Sequence, residues 1–256
     1  MNTWQTGLCS VSFRARTPEE IVAAAAEAGI QAIEWAGDAH VPPGDIDKAR
    51  NVRKITEDGG LVVSSYGSYI APPSNGLDEF DLALTTAVAL GADHMRIWPG
   101  TRGRDSVDYT PEEALRVAHM IGGMGRMAAE EGVTIGLEFH PQSLTDATES
   151  ARRLIDAVGE ANVYLYWQPR PGIAEADALE QIAVVGDAIS HLHVFAWDEA
   201  RARYPLVTQE AAWERYRKAV PEGRWKKPRY GMLEFIAGDT FEQLREDAAV
   251  LRRILF

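Results

Sequence analysis

The sequence predicts a single (β/α)8 barrel. Eight short apolar runs alternate with amphipathic stretches along the whole chain. The 256 residues divide into steps of about 32, the length of one βα repeat. No linker, low-complexity tract or break in composition separates one part from another, so residues 1–256 read as one domain. A doubly wound open sheet is the competing architecture. It calls for a glycine-rich phosphate loop after the first strand, and the sequence has none there.

The strands are expected at residues 6–13 (TGLCSVSF), 30–35 (IQAIEW), 61–69 (LVVSSYGSY) and 94–100 (HMRIWPG). They continue at 133–140 (VTIGLEFH), 163–169 (VYLYWQP), 189–195 (ISHLHVF) and 230–236 (YGMLEFI). These runs are rich in β-branched and aromatic residues and almost continuously apolar, as strands buried on both faces are. Helical periodicity fills the gaps at 18–29, 47–60, 78–92, 111–132, 147–159, 175–186 and 239–255. Many of these stretches end in glycine, which tolerates the left-handed position after a helix. Thr17-Pro18-Glu19-Glu20 and Thr110-Pro111-Glu112-Glu113 are helix starts. Each has a threonine cap, proline at the first position and acids at the positive end of the dipole.

The connection between the seventh and eighth strands, at about 197–229, is too long for a simple βα link and reads as a loop/helix insertion. It carries nine basic residues against five acidic ones in a chain whose net charge is −12. Long loops on the C-terminal face of a barrel are often lids or binding loops, so this segment is expected to cover a site. The alternative is a solvated helix, WERYRKAV, with a subunit contact.

The acidic balance argues against a nucleic-acid or acidic-membrane partner, since phosphate backbones need a basic face. A small anionic ligand held by a few local arginines stays compatible with it. No run reaches the roughly 18 apolar residues of a membrane span. Cys9 is the single cysteine, so no intramolecular disulfide can form, and its apolar setting makes it a small core residue. The stretch MNTWQTGLCS has no basic n-region. Together these features lead us to expect a cytoplasmic protein.

In a barrel, chemistry sits at the C-terminal tips of the strands. Four consecutive tips here are polar: Glu138, Gln168, His193 and Glu234. Two carboxylates, an imidazole and an amide oxygen suit one divalent cation such as Mn²⁺ or Mg²⁺. One polar tip would be explained by a salt bridge at the barrel mouth; four in succession are harder to explain that way. The neighbouring tips suit a polyol. His40, Tyr66, Arg96, Trp98, His140 and Trp197 are the substrate-binding candidates there, with Tyr69 close by. Arg203 joins them from the basic segment, because barrels often bind anions near the loops after strands 7 and 8. His191 lies deeper in its strand and reads as a hydrogen-bonded interior histidine. Trp35, Trp98, Trp167 and Trp197 could each stack on sugar C–H faces, and for each of them packing between barrel and helices is the alternative.

The tips GLEFH, YLYWQP, HLHVF and MLEFI resemble those of the xylose-isomerase-like barrels, a family broadly described as sugar phosphate isomerases/epimerases. The segments IEWAGDAHVPPGD, VSSYGSY and MRIWPG are similar to one branch of it, and the resemblance covers nearly the whole chain. It implies a divalent-metal site, with Mn²⁺, Mg²⁺, Co²⁺ or Zn²⁺ held by Glu, Asp, His and Glu. Carried over, three ligands are Glu138, His193 and Glu234. Gln168 departs from the pattern by replacing the usual Asp, which removes a charge and implies weak metal binding.

The resemblance further implies that Glu138 and Glu234 are the catalytic acid/base groups. The expected activity is a metal-assisted isomerase or epimerase on a keto-sugar or related polyol, acting by proton abstraction next to a carbonyl. A lyase or dehydratase through the same enediolate is the alternative, and a non-catalytic sugar-binding barrel is a third reading. Family members are often dimers or tetramers, so a homo-oligomer is expected by analogy.

Overall fold

Residues 4–256 are described in a computed structural model. The first three residues of MNTWQTGLCS lie outside the described residues. Eight parallel strands close in sequence order: β1 (Trp4–Cys9), β2 (Ala32–Ala36), β3 (Val62–Gly67), β4 (His94–Ile97), β5 (Thr134–Glu138), β6 (Val163–Trp167), β7 (Ile189–Val194) and β8 (Arg229–Leu233). Closure is the β1–β8 ladder, in register from Trp4 opposite Arg229 to Leu8 opposite Leu233. The outer ring is α1 (Pro18–Glu27), α2 (Ile46–Asp58), α3 (Leu77–Leu90), α4 (Pro111–Glu130), α5 (Thr148–Val158), α6 (Glu175–Val185), α7 (Glu210–Ala219) and α8 (Phe241–Leu255). No helix among the described residues is long and apolar enough to cross a membrane.

Local signals act as the sequence predicts. Thr17 and Thr110 each close a capping box with the glutamate three residues on. Gly91 and Gly159 end α3 and α5 in the left-handed conformation, at φ 79° and 69°. The first strand is shorter than its apolar run. It stops at Cys9, and Ser10–Phe13 forms a 3-10 turn. That turn is held from β2, because the Ala36 amide donates to Ser10 Oγ at 2.9 Å.

The main apolar core lies between strands and helices, where Trp35, Tyr66 and Trp167 are fully buried. The barrel interior is filled by aromatic and imidazole rings, where small barrels usually hold branched aliphatic side chains. His94 stacks on Tyr166 at 5.5 Å and meets His191 edge-on at 5.0 Å. Gly136 makes room for them, since a Cβ there would lie 2.6 Å from the Tyr166 ring and 2.7 Å from His94 Nε2.

Only the start of the 197–229 segment reaches the barrel mouth, where Trp197 and Arg201 line the cavity. Its opening stretch forms a narrow turn closed by a Trp197–Arg203 bridge. It then becomes α7, the barrel's own helix between β7 and β8, with Trp213 and Tyr216 packed against Trp167. Finally it runs beneath the N-terminal end of the barrel, where buried Trp225 packs on His94 and His191 at 5.0 and 5.1 Å. Its basic side chains spread over neighbouring elements, with Arg215 on Glu175, Lys227 on Asp93 and Arg203 on Asp239. The charge surplus visible in the sequence therefore does not collect over the strand tips.

Candidate active site

The C-terminal mouth opens into a cavity of about 310 Å³. Glu138, Gln168 and Glu234 line it, and His193 lies buried among them. Each is carried by the end of a different strand or the residue just beyond it, so closure of the barrel brings them together. Phe235 has φ 53°, an uncommon backbone for a bulky residue, and this turns the chain immediately after Glu234. The Glu234 amide is pinned to the Val194 carbonyl at 3.0 Å, which fixes that tip against β7.

Gln168 organises the cluster. Its Nε2 donates to the Phe139 carbonyl at 2.7 Å and to Glu138 Oε1 at 3.1 Å. That anchor turns its Oε1 toward His193 Nδ1, 3.1 Å away. The same Nδ1 lies 3.6 Å from Glu138 Oε1 and 3.4 Å from Glu234 Oε2. Ligand atoms of Glu138, His193 and Glu234 all fall within 4.8 Å of one another. Glu234 Oε2 is buried without a hydrogen-bond partner. An orphaned carboxylate oxygen is costly unless a ligand or proton completes it. Ligand atoms from Glu138, His193 and Glu234 that converge in this way, with the Gln168 amide oxygen beside His193, fit a divalent cation.

The two carboxylates differ in their surroundings. Glu138 Oε2 accepts from both Arg96 Nη1 and Trp98 Nε1 while Oε1 accepts from Gln168, so both of its oxygens have donors. Burial pushes the Glu138 carboxyl up, but the Arg96 guanidinium and His193 outweigh it and hold it at about 2. Glu234 has no such donor set. Burial, opposed by His193 and aided by the Glu138 charge, raises it to about 7.

Of the substrate-binding candidates, Arg96, Trp98, His140 and Trp197 line the cavity. Trp98 stacks on His140 at 4.3 Å with Tyr69 edge-on at 5.6 Å, forming one aromatic wall. Trp197 packs on Phe235 and Phe195 at 4.4 and 4.7 Å, forming a second. The other three lie elsewhere. Tyr66 points into the outer layer and donates to the Val41 carbonyl, because strand alternation turns it away from the barrel interior. His40 is buried against Trp35, 3.0 Å from Ser10 Oγ. Arg203 pairs with Asp239 at 2.7 Å over the Phe235 ring, outside the cavity lining.

Sequence reasoning missed Glu34. It sits in β2, buried, 3.0 Å from Arg96 Nε, 2.8 Å from Ser65 Oγ and 3.7 Å from His193 Nε2. The signal was a charge inside the apolar run IQAIEW, where an unpaired carboxylate would be very costly. Cys9 lies beneath it, with its thiol pushed up by burial, in keeping with a core role.

The family model for the xylose isomerase-like TIM barrel matches residues 22–254. A search of curated proteins finds no match. Among solved structures, an L-ribulose 3-epimerase superposes with a TM-score of 0.78 at 16% identity, covering 99% of this chain and 95% of that one. The probable 3-DHS dehydratase AsbF of Bacillus anthracis gives 0.73 at 16%, over 97% and 98% of the two chains. A xylose isomerase-like TIM barrel protein of Mycobacterium smegmatis, in complex with magnesium, gives 0.67 at 15%, over 99% and 97%.

Proposed function

The chain belongs to the xylose isomerase-like TIM barrel family, and from that premise we propose that it is a metal-assisted isomerase or epimerase acting on a keto-sugar or related polyol. The carrying observation is the unpartnered, buried Glu234 Oε2 facing His193 in the cavity. Glu138, Gln168, His193 and Glu234 would hold the divalent cation, Mn²⁺ or Mg²⁺. Such an ion polarises a carbonyl and stabilises charge on its oxygen.

The protein's own groups divide the remaining work. Glu234 takes the proton beside the carbonyl, because it is the carboxylate whose oxygen is free to accept one. Glu138 stays ionised, held by Arg96 and Trp98. The two aromatic walls grip the C–H faces of the polyol and exclude water. Return of the proton by Glu234 to the adjacent carbon on the same face completes an isomerisation. Inversion of the carbon would need a second group to deliver a proton from the opposite face, and Glu138, the other carboxyl at the cavity floor, would have to be protonated to do so.

A β-elimination is the second reading. It needs one carboxylate, which takes the proton beside the carbonyl and hands it to the departing hydroxyl so that water leaves, and Glu234 Oε2 has no hydrogen-bond donor holding it.

The test is deuterium exchange. Enzyme with Mn²⁺ and D-fructose in D₂O is expected to place deuterium next to the carbonyl. Glu234→Gln should slow this by about 100-fold, the usual contribution of a general base. Exchange at the wild-type rate in Glu234→Gln would overturn the assignment. Loss of the leaving hydroxyl with equal exchange would favour elimination.

A further inference from the structure

We infer that the mouth of the cavity binds an oxyanion, a carboxylate or phosphate carried by the substrate, between Arg170 and Arg201. This rests on the cavity being the substrate site. Both arginines line it. The chain has 26 Lys and Arg against 38 Asp and Glu, so basic side chains have acids in excess to pair with. Yet Arg170 and Arg201 make no side-chain hydrogen bond, ion pair or ring contact among the described residues. The other two arginines of the cavity are committed, Arg14 to Asp38 and Tyr69, and Arg96 to Glu34 and Glu138.

Both free guanidinium groups are carried on stiff backbone. Arg170 lies between Pro169 and Pro171, which fix their own φ, and its carbonyl accepts from the Ile173 amide at 3.2 Å. Arg201 sits at φ 63°, where glycine would be less strained. Its turn is closed by Asp198, whose carboxylate accepts from the Ala202 amide at 2.8 Å and the Tyr204 hydroxyl at 2.9 Å. Both Asp198 carboxylate oxygens are thereby engaged, and Asp198 forms no ion pair with Arg201. The two loops pack together, since a Cβ on Gly172 would lie 3.0 Å from Glu199 Cγ.

The charge layout orients a ligand. Glu138 and Glu234 at the floor repel an anion, so a ligand with one anionic end places that end at the mouth and its carbonyl end at the floor. A guanidinium fork matches the oxygens of a carboxylate or phosphate in a way an ammonium does not.

Calorimetric titration of the full chain at low ionic strength tests this, first with inorganic phosphate and with glycolate. At least one is expected to bind, and Arg170→Gln with Arg201→Gln should weaken it about fivefold or more. The tighter of the two identifies the group. Neither side chain makes a hydrogen bond, ion pair or ring contact among the described residues, so the double variant is expected to fold. Then D-fructose is compared with D-fructose 6-phosphate and 5-keto-D-gluconate. One charged probe should bind at least about fivefold tighter than D-fructose, and the double variant should erase that gap while leaving D-fructose unchanged. Absence of binding by both simple anions, or equal binding in the double variant, overturns the inference. Arginine-dependent anion binding with no exchange on any sugar probe would instead count against the enzymatic reading and leave the oxyanion site standing.

Discussion

Arg96 bridges Glu34 and Glu138, with Nε 3.0 Å from Glu34 Oε1 and Nη1 on Glu138 Oε2. All three side chains are almost fully buried. Burial disfavours every charge here, but the mutual attraction prevails. Both carboxyls are held below their ordinary value, and the guanidinium well above its own. Arg96 thus joins the second, fourth and fifth strands at the level of the cavity floor.

Removing one member of such a network leaves the others buried and unpaired. Arg96→Met should therefore cost about 3–5 kcal/mol of stability at pH 7. Part of that loss should return as the pH falls, because Glu34 and Glu138 can then protonate without a cationic partner. Urea unfolding of both proteins at pH 7 and pH 5 measures it. A loss under about 1 kcal/mol would mean that the network is not a stabilising contact.

Gln168 supplies a neutral oxygen where a carboxylate would add charge to the cluster. We expect Mn²⁺ to bind wild type reversibly and to be removed by chelator. Gln168→Asp should tighten binding by about tenfold or more, since hard cations favour charged oxygens. The same change removes the amide donor to Phe139 and Glu138, so its turnover should fall even as affinity rises. Calorimetry with Mn²⁺ decides the point, and equal affinities would show that residue 168 does not face the ion.

His94 links stability to pH. Burial, reinforced by His191 and Lys227, holds its imidazole well below the ordinary value. The unfolded chain therefore binds a proton near pH 6.5 that the folded chain refuses. The contribution is fully present above about pH 6.5 and is lost as pH falls below it, at up to about 1.4 kcal/mol per pH unit. His94→Gln should flatten the acid side of the stability curve by up to one proton. Urea midpoints at pH 7, 6 and 5 check this, and parallel curves would count against it.

The order of elements was legible in the sequence because strand and helix signals are local. The apolar runs, the Thr-Pro-Glu-Glu caps and the terminal glycines each act within a few residues, and each marks an element of the barrel. The tips Glu138, Gln168, His193 and Glu234 could be grouped for a related reason. In a barrel of known strand order, the position along each strand fixes which end a side chain occupies. Tertiary structure alone decided the rest. Whether Tyr66 or Glu34 faces inward turns on strand alternation and on a register shift at Ile33/Glu34, which the apolar run does not reveal. The basic residues of 197–229 were countable, but their partners lie on distant elements, and only the folded chain shows that most are paired. Arg170 and Arg201 stand out only then, because a missing partner is a property of three-dimensional neighbours and leaves no mark on the residues adjacent in sequence.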